Sequence, residues 1–470
     1  MQNNFLQLFK IPETRQRILT TLGLLLVFRF GHHIPIPGMD PTFLARQDKD
    51  TGGLFGMMSA FSGGALGQST LFSLGIMPYI SASIIFSMLT KISPAIEAVS
   101  KEGAAGQKKI NQWTRLATVP IAIIQALLVY TGVFLAKSGE MVEPSMRSHP
   151  VLLGFIVVMA LLAGALACMW LGELITESGV GNGSSLIIMA GIVARIPSSL
   201  QLLWGGPEFW QTVLFLAAIW TVTVICVVFI HKGTRRVPIQ HHRLVRGQAV
   251  YGGQKHFLPL KINMAGVMPI VFASVIFIVP AIVFDWIGWT DLKDAFSTPT
   301  GFIHVASYAA LIFFFCFFWN RLMFQPNEIA DNLREQGAFV PGLRPGARTA
   351  EYLTNVLTRI TLAGAAFLTI IAVAPAFITK GTALPNDLRY FLGGTSILIV
   401  VAVALELVDR LNAQLVMRNY EGFMKESGPN WAGMRDAAQR EQQKQQKRED
   451  KKLLPREEQK EPTREGQKKD

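Results

Sequence analysis

Gly75-Ile-Met-Pro-Tyr-Ile-Ser-Ala-Ser-Ile-Ile-Phe86 recurs far downstream as Gly266-Val-Met-Pro-Ile-Val-Phe-Ala-Ser-Val-Ile-Phe277, with seven identities in twelve positions and mostly Ile/Val exchanges in the rest. Chance similarity in an Ile/Val/Phe-rich chain is the competing explanation. It does not readily reproduce Gly-x-Met-Pro and Ala-Ser-x-Ile-Phe in register. Each copy opens an apolar run, and such runs lie at about 18–37, 72–90, 115–135, 151–171, 184–204, 209–231, 264–286, 303–324, 358–379 and 391–410. A run of roughly 20 residues is long enough to cross a hydrocarbon core as a helix. The copies open the second and seventh of ten runs. That offset is odd, so two related five-span halves would lie upside down to each other, an arrangement that commonly puts the working site between the halves.

Composition agrees with a bilayer setting. Half of the 470 residues are apolar, 31 are Phe and 16% are charged, which leaves too little polar surface to cover a soluble globule of this size. An even number of spans puts both termini on one side. Connectors on the N-terminal side are richer in Lys and Arg, which makes that side cytoplasmic, although the turn Gly172–Gly183 carries Glu173 and Glu177 and no base. The first span follows Lys10, Arg15 and Arg17 and ends at Ile34-Pro-Ile-Pro-Gly38 without a small-residue cleavage run, so a retained span is expected rather than a removed signal peptide. Cys168, Cys226 and Cys316 fall inside spans at unrelated spacings, and neither a disulfide framework nor a metal site is indicated.

The expected organisation is a cytoplasmic segment at 1–17, an N-terminal half at 18–204, a C-terminal half at 205–424 with large cytoplasmic connectors at 231–261 and 325–357, and a charged tail at 425–470. The tail is rich in Gln, Lys, Arg and Glu and cannot bury a core. A solubilising role is the simpler reading for it, and contact with ribosomal RNA or anionic lipid is the alternative. Thr51–Thr70 is apolar yet short and glycine-rich. It reads as a re-entrant half-helix, which a membrane tolerates only where protein covers it or it lines a cavity; a surface loop with a few buried small residues is the alternative.

No catalytic constellation has adequate spacing. His32-His33 and His241-His242 lack the i,i+4 pairing of a zinc helix, and Gly103-Ala-Ala-Gly-Gln-Lys108 is too short for a phosphate-binding loop. A solute-coupled transporter would keep ionisable groups near mid-membrane. Arg29 and Arg195 lie in spans, while Glu406, Asp409 and Arg410 crowd the cytoplasmic end of the last one. The apolar interior suits a conduit that an apolar constriction closes by dewetting. His231–Lys261 holds seven Lys/Arg and no acid, and Arg321–Arg359 carries Gly337-Ala-Phe-Val-Pro-Gly-Leu-Arg-Pro-Gly346. Both exceed a short helix link and are candidate docking surfaces for an anionic partner.

Phe61-Ser-Gly-Gly-Ala-Leu66, Leu74-Gly-Ile-Met-Pro-Tyr-Ile-Ser-Ala-Ser83, Met169-Trp-Leu-Gly-Glu173 with Gly181-Asn-Gly183, Leu258-Pro-Leu-Lys-Ile-Asn-Met-Ala-Gly266, Gly337-Ala-Phe-Val-Pro-Gly342 with Arg344-Pro-Gly346, and Gly393-Gly-Thr-Ser396 resemble the signatures of the SecY/Sec61 family over about residues 15–425. The resemblance implies an all-α polytopic membrane protein in which ten transmembrane helices form two inverted five-helix halves, a clamshell around an hourglass pore, with a re-entrant plug half-helix. The activity implied is conduction of unfolded, signal-bearing polypeptides and lateral release of spans into lipid, without enzymatic activity or cofactor. The implied pore ring is Ile76, Ile80, Ile188, Val271 and Ile399, in which Val271 is smaller than Ile by one methylene. The implied plug is Ser59, Ala60, Phe61, Ser62, Gly63, Gly64, Ala65, Leu66 and Gly67. The implied lateral gate takes in Ile76, Ser83, Ser87, Met268, Val271 and Ser274. Arg235, Arg236, Arg243, Arg246 and Arg344 fall in the docking loops for a motor or a ribosome. The implied partners are SecE and SecG subunits, the SecA motor ATPase, the ribosome, signal peptides and nascent chains, membrane lipid, and YidC and SecDF; the implied location is the inner membrane with both termini cytoplasmic. The charged tail is longer than the family usually carries, and no family role transfers to it.

Overall fold

A computed structural model describes residues 11–39, 70–131, 148–194, 209–241, 243–246, 249–252, 255–263, 268–298, 301–378 and 394–427, with a few single positions between them. Residues Met1–Arg410 form one compact unit, and Leu411–Asp470 a second whose described part, up to Ser427, is helical.

The first helix, α1, runs over Pro12–Gly31. It starts ahead of the apolar run because Pro12 pre-sets the helical φ at a position whose N–H needs no partner. α2 (Met77–Ile92) and α3 (Pro94–Lys101) meet at a 97° bend, enforced by Pro94, which disfavours helical backbone at Ser93. α4 (Ala104–Val129) and α5 (Pro150–Ser178) follow, then α6 (Gly183–Val193) and α7 (Phe209–Lys232). The C-terminal half continues with α8 (Met268–Ile287), α9 (Thr290–Ser297), α10 (Phe302–Met323), α11 (Pro326–Glu335), α12 (Ala347–Ile378) and α13 (Gly394–Ser427). Among the described residues, five helices meet the length and hydropathy of a membrane span, and the bent α2–α3 pair makes a sixth. The fifth expected span, 184–204, contains a continuous helix of 11 residues, α6, and Arg195 lies outside the described residues.

Among the described residues the fold is mostly helical, in keeping with the all-α class, and the strands lie in the connectors. The basic connectors fold into strands: β1 (Thr234–His241), β2 (Arg243–Arg246), β3 (Ala249–Gly252), β4 (Lys255–Lys261) and β5 (Ala338–Phe339). β1 pairs antiparallel with β4 and, at Gln240↔Phe339 and His241↔Ala338, with β5. The two connectors, whose paired residues His241 and Ala338 lie 97 positions apart in sequence, thus share one three-stranded sheet. Alternation drives it: Val237 and Ile239 are buried while Arg236 and Pro238 are exposed. Val237 and Leu260 join Phe324, Val340, Leu353 and Leu357 in a small core under the sheet.

Three larger apolar clusters organise the helices. One lies in the N-terminal half, from Leu74 through α4 and α5, with Ala122, Ala126, Val157 and Leu161 at its centre. Another lies in the C-terminal half and joins α7, α8, α10, α12 and α13 around Phe277, Ile312 and Leu398. The third draws on both halves.

Candidate functional site

The shared cluster contains Ile76 and Ile80 at the start of α2, Ile188 on α6, Val271 on α8 and Ile399 on α13. All five side chains are buried, none more than 7% exposed. Phe28, Phe72, Cys168, Leu171, Ile175 and Val403 complete the wall around them. Every one of the five is β-branched, so each enters with few rotamers and a broad apolar head. Such a collar makes no hydrogen bond to water, and a passage lined by it dries when unoccupied.

Backbone geometry explains how four helices deliver these heads to one place. Gly75 and Gly266, the first residues of the two repeats, both adopt positive φ, 53° and 63°. Each stands two residues before the Met that begins α2 or α8. An L side chain there costs about 1–2 kcal/mol. The two repeats therefore share a local turn as well as a sequence, and Ile80 and Val271 each lie five residues beyond that glycine.

A second repeat, not apparent from hydropathy, governs the other two helices. Gly183 opens α6, where an added Cβ would lie 1.9 Å from the carbonyl oxygen of Gly172 on α5; Gly394 opens α13, where it would lie 1.8 Å from the carbonyl oxygen of Ile371 on α12. Each helix starts flush against the backbone of the one before it. Gly183-Ser-Ser-Leu-Ile-Ile188 matches Gly394-Thr-Ser-Ile-Leu-Ile399, so Ile188 and Ile399 also stand five residues past their glycines. Asn182 caps α6, its Oδ1 accepting from Ser184 N at 3.1 Å and from Ser184 Oγ at 2.7 Å. Gly183 N donates to Thr176 Oγ1 at 2.9 Å. The signal was present in the sequence as Gly-(Ser/Thr)-Ser followed by three aliphatics, too short to stand out in an apolar chain.

The residues around α2 and α8 are placed as follows. Ser83 is half-buried and Ser87 exposed; Ser87 Oγ donates to Ser83 O at 2.7 Å. Ser274 is buried and donates to Val271 O at 2.8 Å. Met268 packs on the C-terminal core, as do Ile84 and Met88 of α2, so α2 and α8 lean on one apolar surface. Asn263 Nδ2 donates to Gly266 O at 2.7 Å and fixes the turn into α8. The stretch from Ser59 to Gly67 lies outside the described residues.

Several of the charged groups among the described residues are paired. Arg115 Nε pairs with Glu173 Oε1 at 2.6 Å, Lys232 Nζ with Asp409 Oδ1 at 2.5 Å and Arg410 with Glu406 at 2.8 Å. The charges at the end of the last span are thus engaged with one another and with α7. Arg235 and Arg236 are exposed on β1, and Arg344 is exposed in the turn between β5 and α12; Arg243 and Arg246 lie on β2. Gly342 and Gly346 hold positive φ, 85° and 103°, on either side of Arg344, and Thr349 Oγ1 donates to Arg344 O at 3.0 Å. No group of His, Cys, Asp or Glu among the described residues is arranged to hold a metal ion.

The sequence model of the SecY family matches residues 70–408. The chain is 42% identical to the protein translocase subunit SecY of Streptomyces griseus, over 90% of its own length and 99% of that protein. It is 40% identical to the protein translocase subunit SecY of Escherichia coli K12, over 89% of its length and 95% of that protein. Among solved structures it is similar to one described as a protein-conducting channel (TM-score 0.57, 18% identity, 87% of this chain and 96% of that one). It is also similar to Sec61 in the canine ribosome-channel complex from the endoplasmic reticulum (TM-score 0.54, 17% identity, 87% and 96%). The fold is that of these multi-pass membrane channels. With the family sequence model spanning most of the chain and relatives matched almost end to end, the chain belongs to the SecY family.

Proposed function

We propose that this chain is the pore-forming subunit of a protein translocase, a channel and not an enzyme, which conducts unfolded, signal-bearing polypeptides and releases apolar segments into lipid. The observation that carries this reading is the single buried cluster in which β-branched side chains from α2, α6, α8 and α13 meet between the two halves. Ile76, Ile80, Ile188, Val271 and Ile399 act as the pore ring, and the segment from Ser59 to Gly67 acts as the plug. Ile76, Ser83 and Ser87 on α2 side with Met268, Val271 and Ser274 on α8 to form the lateral gate. The halves divide near residue 204, both termini lie in the cytoplasm, and the membrane is the cell's inner membrane. SecE and SecG are the proposed companion subunits; YidC and SecDF are proposed associates during insertion and export.

The gate reading is tested with cysteines at Ser87 and Met268 in a chain lacking Cys168, Cys226 and Cys316, joined by a short bis-maleimide. Complete crosslinking is expected to stop insertion of new spans in proteoliposomes. Undiminished insertion by the fully crosslinked protein would remove the gate.

The sheet is the proposed docking surface for SecA and for the ribosome, with signal peptides and nascent chains passing inward from it. β1–β5 pairing supports this, since it ties the connector that carries Arg235 and Arg236 on β1 to the one that carries Arg344 in the turn after β5. Reversing Arg235 and Arg236 to Glu is expected to weaken binding of both partners about tenfold, with the deficit largest at low salt, where steering by exposed charge is strongest. Titration of labelled SecA or ribosomes onto reconstituted vesicles at two ionic strengths checks it; salt-independent affinity equal to that of the unaltered chain would count against the surface.

A further inference from the structure

α2 touches the C-terminal half along one face. Ile84 and Met88 pack on the C-terminal core, and Lys91, one further turn along, continues that face. There Lys91 meets the corner between α10 and α11. The Gln325 amide, in the orientation its neighbours dictate, donates to the Glu328 carboxylate, with Oε2 at 2.8 Å, and its oxygen accepts from Lys91 Nζ at 3.3 Å. Lys101 on α3, held by Glu97 at 2.9 Å, also feels the Glu328 charge. Lys91 and Lys101 belong to the N-terminal half, Gln325 and Glu328 to the C-terminal half.

We propose that Lys91, Gln325 and Glu328 form a polar clasp across the cytoplasmic mouth of the lateral gate, and that its strength sets how apolar a signal segment must be to open that gate. The inference rests on reading α2 and α8 as the gate. α2 cannot part from the C-terminal half without breaking the Lys91–Gln325 contact, because both ends are tied to helices of different halves. Lys91 and Glu328 are exposed, and exposed pairs of this kind are individually weak. Weakness suits a threshold: a ligand shifts an opening equilibrium only by its differential affinity for the open state, so a small closing term excludes weakly apolar segments without locking out strong ones. Gln325 suits a relay because its amide presents a donor on one side and an acceptor on the other.

The test uses the assembled translocase in inverted membrane vesicles, with one reporter carrying a full signal and another whose apolar signal segment is shortened. Lys91→Glu and Glu328→Lys are each expected to raise transport of the shortened-signal reporter about three- to tenfold, with the full-signal reporter unchanged. The double variant is expected to return to the unaltered level, because the Gln325 amide can turn over and exchange its donor and acceptor sides. Adding Gln325→Leu should abolish that rescue. Unchanged transport in the single variants, or additive gains in the double, would overturn the clasp, as would equal losses with both reporters at normal amounts of assembled chain. If crosslinked Ser87→Cys/Met268→Cys protein still inserts spans, the gate itself fails; if it is blocked while the clasp variants behave as the unaltered chain, the clasp alone fails.

Discussion

A chain carrying Gly at both Ile80 and Ile399 is expected to pass ions continuously when no polypeptide is present. Ile80 is 7% exposed and Ile399 1%, and they come from opposite halves into the same cluster. Removing a buried Ile side chain as far as Ala costs about 2–5 kcal/mol through lost burial and the cavity left behind, and removing the last methyl adds to it. Two such cavities within one cluster admit water where dewetting had excluded it. In planar bilayers the unaltered protein should stay silent and the double variant should give long, poorly selective openings. Replacing the pair by Val, which keeps the β-branch, should restore silence. Leak of equal size from Gly substitutions at lipid-facing Leu116 and Phe229, 73% and 75% exposed, would mean that the collar is not the seal.

The second large effect is expected at the helix crossings. Gly183→Leu places a side chain where even a Cβ falls 1.9 Å from a backbone oxygen, and Gly394→Leu does so at 1.8 Å. Backbone cannot swing aside as a flexible side chain can, so α6 or α13 must move away from α5 or α12. Overpacking of a tight core ordinarily costs about 1–3 kcal/mol, and a backbone clash at two crossings should reach or exceed the top of that range. Both variants should lose thermal stability by several degrees and carry Ile188 or Ile399 out of the collar, adding leak. Gly23→Leu is the control, since nothing lies within 4 Å of its added Cβ. Equal stability of all three chains would show that the close crossings do not position the ring.

Much of the architecture is legible in the sequence. The Gly-x-Met-Pro repeat announced two related halves, and the structure gives its glycines the same positive φ. Hydropathy marked the apolar runs, and some of the described helices extend beyond them. α1 begins at Pro12, ahead of its apolar run, and α13 continues through Glu406, Asp409 and Arg410 to Ser427. Charged residues extend a helix past the apolar region when they pair, as Arg410 with Glu406 and Asp409 with Lys232 do here. The ring residues were named through family resemblance; periodicity alone could not single out Ile188 from Ile187, since both are buried in the same cluster. The sheet was missed because β5 is two residues long and its partner lies in a different connector. Non-local pairing leaves little local trace. The Lys91–Gln325–Glu328 contact was hidden for the same reason, joining residues of different halves.

The central claim is that polypeptide passes through the collar between the halves. A photo-crosslinking residue placed in turn at Ile80, Ile188, Val271 and Ile399, with Leu116 and Phe229 as lipid-facing controls, tests it against a secretory chain stalled midway by a folded domain at its end. Crosslinks from the stalled chain to all four collar positions, one on each of α2, α6, α8 and α13, and to neither control are the predicted result. A stalled chain that reacts with the controls and with none of the four would contradict it.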